Sequence, residues 1–260
     1  MISDTNHATK LKIRDLLLYA LTVSSGAIDV ISFLALGKVF TAFMTGNIVF
    51  IGLRVAGASA PDLVSILVSM GSFASGVYLS TLIVRSSEKG SIWPQKVTVA
   101  LGISLIAHAL FQIVWFAANG QPTINIVYIL LGSWGFAMGM QSAAIRALHV
   151  DGVFTTAATA TVIFLAADIT NWSATTIERR RLTGILLSLL IGATLGGLLY
   201  GHLQMYAPLL PFLITVATVT TSSIVLKEPA KPWRIRILKN NSLTPIKLNL
   251  DSDYDDHESR

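Results

Sequence analysis

The chain has 260 residues, 53% of them hydrophobic and only 13% charged, with a formal net charge of +5. A soluble domain carries about 25% charged residues, so this composition, with a mean hydropathy of +0.65, excludes an ordinary soluble fold. The absence of cysteine excludes disulfides, thiolate metal sites and cysteine nucleophiles.

Apolar runs of roughly 18 residues or more mark membrane spans. Residues 1–15 form a polar N-terminal segment in which Lys10, Lys12 and Arg14 precede the first run, 16–36. That run is too long for the core of a cleavable signal, and no A-x-A site follows it, so it is expected to remain as an anchor. Further runs cover 63–84, 97–118, 124–145, 182–203 and 206–226. Two shorter segments lie between them. Residues 39–53 read VFTAFMTGNIVFIGL, and 153–167 read VFTTAATATVIFLAA. About 15 helical residues cover roughly 22–24 Å, against a hydrocarbon core of about 30 Å. Each short segment therefore either enters and returns, giving six spans, or crosses as a short span, giving eight.

Charge discriminates between the two. Six spans put Arg85, Lys89, Lys96, Arg146, Arg179, Arg180 and Arg181 inside and leave Lys38 and Arg54 outside. Eight spans divide the same cations almost evenly. The fold class expected is all-α: a polytopic helical membrane protein of six full spans plus two short membrane segments. Its membrane domain is 16–226, with repeat halves of about 16–118 and 124–226. Three spans and one short segment per half invert the second half relative to the first, a plan found among secondary transporters. Both termini are then cytoplasmic. The tail, 227–260, joins a basic block around Trp233 to an acidic, disordered end. The pI of 9.6 is explained by loop cations beside lipid headgroups rather than by nucleic-acid binding.

Several residues could carry chemistry. Asp29 lies deep in the first span, where a carboxylate costs about 2.5–3.5 kcal/mol and usually faces a cavity or a partner. It reads either as a substrate or ion site or as interhelical glue. Gln141 is its expected counterpart in the second half. Thr45, Gly46 and Asn47 offer a backbone break with hydroxyl and amide groups; the second copy has Thr159, Ala160 and Thr161 there. These are the substrate-binding candidates, with caps as the alternative role for Thr45 and Asn47. His108, one turn from Gln112, is a candidate proton relay. Arg54 and Asp168 fall at equivalent positions and could pair if the short segments meet. No second ligand stands at metal spacing, and no GxSxG, HExxH or phosphate loop points to an enzyme or a cofactor. The pairs Gly135/Gly139, Gly192/Gly196 and Gly197/Gly201 match GxxxG and could admit a neighbouring helix or a second copy of the chain. Trp93, Trp115, Trp172 and Trp233 lie near span ends as interfacial anchors.

Gly26-Ala-Ile-Asp29, Leu36-Gly-Lys-Val-Phe40 and Met44-Thr-Gly-Asn47 resemble the signature of the YoaK family of bacterial membrane proteins. Gly139-Met-Gln-Ser-Ala-Ala-Ile-Arg146, followed by Thr155 and Thr156, is similar to its second-half motif. The resemblance covers about 13–226; Thr159-Ala160-Thr161 departs from the family's second Thr-Gly-rich motif. It implies about six membrane passes in a bacterial cytoplasmic (inner) membrane, and no substrate. The function expected is a transporter or channel-like carrier of an unknown small solute, in contact with membrane lipid. The alternative is a non-transporting scaffold acting through its GxxxG faces and tail.

Overall fold

The computed structural model describes residues 2–86, 91–150, 156, 158–170 and 176–226, with backbone alone at 2–6, 167–170 and 176–177. The charged tail therefore lies outside the described residues, as do Trp172, Trp233 and most of 151–157. Described residues form eight helices and no strand: α1 (Ile2–Ala35), α2 (Met44–Val55), α3 (Leu63–Val84), α4 (Gln95–Ala117), α5 (Ile124–Arg146), α6 (Ala158–Thr170), α7 (Thr176–Leu203) and α8 (Leu209–Val225). Within α1, α3, α4, α5 and α7, five stretches are long and apolar enough to cross a membrane. With 17 residues, α8 spans about 26 Å and sits at the lower limit for a crossing. The 12 residues of α2 and 13 of α6 reach only about 18–20 Å. The protein is a polytopic helical membrane protein.

Two apolar clusters form the core. One gathers Leu17, Leu18 and Leu21 with Val84, Leu101, Ala144, Leu182 and Leu226. The other gathers Ile28, Ile31 and Leu36 with Ile66, Phe111, Leu130, Trp134 and Ala207. Each of α1, α3, α4, α5 and α7 thus runs from one cluster to the other, alternating in direction, and α8 returns from Ala207 to Leu226. The short helices do not. Phe50 and Ile51 of α2 stay with the second cluster, beside the end of α1 and the start of α3. Leu165 of α6 stays with the first cluster, at the opposite end of the bundle.

Helix α1 packs on α5 and α8, and α4 packs on the same two, so these four close a ring. Outside it, α7 lies along α1 and α3 along α5. Glycine makes both outer crossings possible. A Cβ on Gly26 would collide with the carbonyl of Leu189, and one on Gly192 with that of Val23. In the other pair, Gly139 faces the carbonyl of Phe73 and Gly76 that of Phe136. Two of the three GxxxG pairs, Gly135/Gly139 and Gly192/Gly196, are therefore consumed inside the chain. In the third, a Cβ on Gly197 would touch the Val30 side chain at 3.4 Å, and among the described residues no atom approaches Gly201.

The tryptophans differ from the interfacial expectation. Trp93 and Trp115 are buried, their Nε1 groups donating to Thr98 Oγ1 at 2.9 Å and to the Met205 carbonyl at 3.1 Å. Trp134 lies face to face with Phe111, ring centroids 3.6 Å apart. At the membrane edge Asp62 caps α3, accepting from Ser65 N at 2.8 Å. That bond holds its carboxyl below the usual range.

Candidate functional site

Between α1 and α2 the chain leaves helical geometry at Gly37 (φ +80°) and Lys38 (φ +62°). It then turns back along α1. The amides of Thr41 and Ala42 donate to Asp29 Oδ1 at 3.0 and 2.8 Å. Asp29 lies six residues, about 9 Å, inside the end of α1. Segment 36–43 therefore descends to the depth of Asp29, and α2 carries the chain back out. In hydrocarbon such backbone needs partners, and three helices supply them. Asn47 of α2 accepts from Phe40 N at 3.1 Å and donates to Phe40 O at 2.7 Å. Ser69 of α3 donates to the same carbonyl at 2.6 Å. Phe40 also stacks with Phe33 and Phe50 and meets Phe43 edge-on. A Cβ on Gly46 would strike the Phe43 ring at 2.6 Å, so glycine is what lets the rings close over α2.

These contacts give the predicted site residues distinct places. Asp29 and Asn47 hold the re-entrant segment, and Gly46 makes room for its rings. Thr45 is exposed, as is Thr159, whereas Thr161 is buried like Asn47. The Arg54 guanidinium donates to the Pro61 carbonyl at 2.8 Å; the Asp168 side chain lies outside the described residues. Gln141 donates to the Leu21 carbonyl at 3.3 Å, tying α5 to α1. The second half has its own tie: Ser142 of α5 and Thr156, just before α6, meet hydroxyl to hydroxyl at 2.8 Å.

Along two of the central helices, α1 and α4, polar residues separate the apolar clusters, whereas on α5 the clusters run together at Met138 and Met140. On α1 they are separated by Ser24 and Ser25, and on α4 by Ser104 and His108, all buried. Thr215 on α8 is buried between them too, and Gln141 on α5 is buried beside Met140 of the first cluster. Most of this polar belt is satisfied. Ser24 donates to the Pro211 carbonyl at 3.4 Å, and Ser104 to that of Leu101 at 2.7 Å. Among the described residues, Ser25 Oγ and both ring nitrogens of His108 have no partner. One turn further along α4, Gln112 Nε2 donates to the Pro208 carbonyl. Its Oε1 is unpartnered, as are Thr41 Oγ1 at the tip of the segment and Trp134 Nε1. Val39 and Ala42 of the segment belong to the same apolar cluster as Ile28, Phe111, Trp134 and Met138. Sequence reasoning did not single out Thr41. Its signal was the recurrence of Val-Phe-Thr, which opens both short stretches.

A polytopic helical membrane protein with a clamped, irregular segment between its first two helices is the class these features define. Its family follows from comparison with known proteins: the family described as "Protein of unknown function (DUF1275)" matches residues 17–221, and the chain belongs to it. It is similar to the UPF0700 transmembrane protein YoaK of Bacillus subtilis (strain 168), at 35% identity over 158 residues, covering 61% of this chain and 68% of that protein. No solved structure matches it.

Proposed function

We propose that this protein is a transporter or channel-like carrier for a small solute, with its site between the tip of segment 36–43 and the belt of α1, α4 and α5. One observation carries the reading. A segment that enters and leaves at the same end brings an interrupted backbone to buried polar side chains that lack partners. Irregular backbone at membrane depth persists where protein buries it or it lines a pathway. The N-terminus of the half-helix α2 also points inward, adding a dipole to the site.

Duplication supports the same reading. Gly26 packs against Gly192 as Gly139 packs against Gly76, each meeting the carbonyl three residues before the glycine opposite, which makes Gly26 the counterpart of Gly139 and Gly192 that of Gly76. The short helices join opposite ends of the bundle, as inverted halves require. This register sets Asp29 opposite Ser142 rather than Gln141. Both reach the segment that precedes a short helix, one through backbone amides and the other through a hydroxyl. Lys10, Lys12, Arg14, Arg146 and Arg179–Arg181 gather at the first cluster's end, which we assign to the cytoplasm of a bacterial inner membrane, with both termini. The scaffold alternative loses ground because two GxxxG faces are already occupied within the chain.

The test is reconstitution of the full chain in lipid vesicles. Swelling under gradients of small polar solutes should exceed that of protein-free vesicles for at least one of them, and His108→Leu should abolish the excess. An excess that survives His108→Leu unchanged removes the belt from the pathway. A panel with no excess at all counts against transport.

A further inference from the structure

Native interiors leave few polar atoms without a partner, and each one calls for an explanation. Among the described residues such atoms include Arg181 Nε at the start of α7 and, on four separate pieces of chain around the central ring, five side chains: Ser25 on α1, Thr41 on the re-entrant segment, His108 and Gln112 on α4, and Trp134 on α5. All five are buried. Their helices adjoin in the central ring, and the Phe111–Trp134 stack joins α4 to α5 beside them.

We propose that these groups form a binding site for one small uncharged solute that carries both hydrogen-bond donors and acceptors. The proposal rests on the transport reading and names the class of cargo for that site. The inventory of groups is mixed in hydrogen bonding and neutral in charge. An uncharged imidazole offers one donor and one acceptor, and a hydroxyl offers both. Gln112 has committed its amide N–H to Pro208 and presents only its oxygen. Trp134 presents only a donor. Among the described residues, no Asp, Glu, Lys or Arg is fully buried. Half-buried Asp29 lies one turn from Ser25, but two backbone amides already converge on its Oδ1 and offset its charge. An ion entering here would lose hydration without a dedicated counter-charge. An uncharged solute would exchange water's hydrogen bonds for those of the site, against the apolar wall of Phe111 and Trp134.

The absence of native cysteine permits a direct test. The full-length Ser25→Cys protein is reconstituted in vesicles and treated with methanethiosulfonates of three kinds: uncharged methyl, cationic trimethylammonioethyl and anionic sulfonatoethyl. Ile106→Cys is the lipid-facing control, because Ile106 is 70% exposed on the outer face of α4. Its thiol should resist all three reagents, since reaction needs a thiolate. The uncharged reagent should modify Ser25→Cys about a hundredfold faster than either charged one, the ratio set by the cost of a charge at this depth. Rapid modification by the cationic reagent would overturn the proposal and make Asp29 the anchor of a cation site. Resistance to every reagent would also overturn it, leaving a sealed, dry interior. Ser104→Cys, one turn from His108, supplies the same reading if Ser25→Cys does not fold. Solute flux is scored separately. Access without flux keeps the site and removes transport, while flux without access keeps transport and moves the site elsewhere.

Discussion

Two groups of polar side chains meet near the middle of the bundle and are treated in opposite ways. Around Phe40, Asp29, Asn47 and Ser69 converge on three successive residues of irregular backbone and satisfy it. Around His108, the ring nitrogens and the nearby Ser25, Thr41 and Gln112 oxygens are buried without partners. The first arrangement builds the fold, and the second has not been spent on it. A polar residue inside a membrane protein is therefore informative through its partners more than through its cost of burial. Removing a member of the first group should destabilise the protein, whereas removing a member of the second should not.

The largest loss is expected at Asp29. Asp29→Ala orphans the amides of Thr41 and Ala42 and should cost about 2–6 kcal/mol, at roughly 1–3 kcal/mol per buried group. Asp29→Asn keeps an acceptor and should cost about 1 kcal/mol, the difference between charged and neutral hydrogen bonds. The midpoint of thermal unfolding in detergent, followed by size-exclusion chromatography, reads both. Equal midpoints for wild type and Asp29→Ala would mean that the clamp carries no stability. Full stability of Asp29→Asn with complete loss of flux would instead give the charge a direct part in transport.

Asn47→Ala comes next. It removes both bonds to Phe40, while Ser69 still satisfies the carbonyl, so one amide is orphaned. The expected loss is about 2 kcal/mol, and Asn47→Asp should recover only the half that accepts from Phe40 N. Recovery of wild-type stability by Asn47→Asp would contradict a paired, amide-specific contact.

What the sequence made legible follows from this contrast. Span positions and the two short segments depend on local composition, and a helix overlaps each of them, although α1 and α7 begin earlier than their apolar runs, at Ile2 and Thr176, and α2 later, at Met44. Asp29 and Thr45-Gly46-Asn47 were legible as unusual, because polar and flexible residues in an apolar run are visible without coordinates. Their division of labour was not. Asn47 turns inward and Thr45 outward only because α2 starts at Met44 and packs beside Phe40. The register proposed between the halves was equally hidden. Anchoring them at Ala35-Leu36 and Ala147-Leu148 set Gln141 opposite Asp29, whereas the glycine contacts favour Ser142. Trp134 had no visible reason in the sequence, since its stacking partner Phe111 lies on another helix.

Ser142→Ala tests that register. Its hydroxyl meets Thr156 at 2.8 Å but also bonds its own helix at the Met138 carbonyl, 2.7 Å away. Losing it should cost about 1 kcal/mol or less, well below Asp29→Ala. A double-mutant cycle with Thr156→Ala isolates the pair. A coupling near zero would mean that the second segment is held by other contacts, and that the two halves share crossings without sharing a clamp.

The smallest effect on stability, and the sharpest contrast, is expected at His108. Replacing an unpartnered polar group with an apolar one of similar volume removes a desolvation penalty and no hydrogen bond. His108→Leu should therefore unfold at the same temperature as wild type or slightly higher. In the same preparation the solute flux should disappear. The two readouts part company only if the imidazole is held in reserve for a ligand. A structural histidine would lose stability and function together, as Asp29→Ala is expected to do. A functionless one would lose neither. A stable, inactive His108→Leu beside an unstable Asp29→Ala would thus separate the site from its support by measurement, in a bundle where both lie at nearly the same depth.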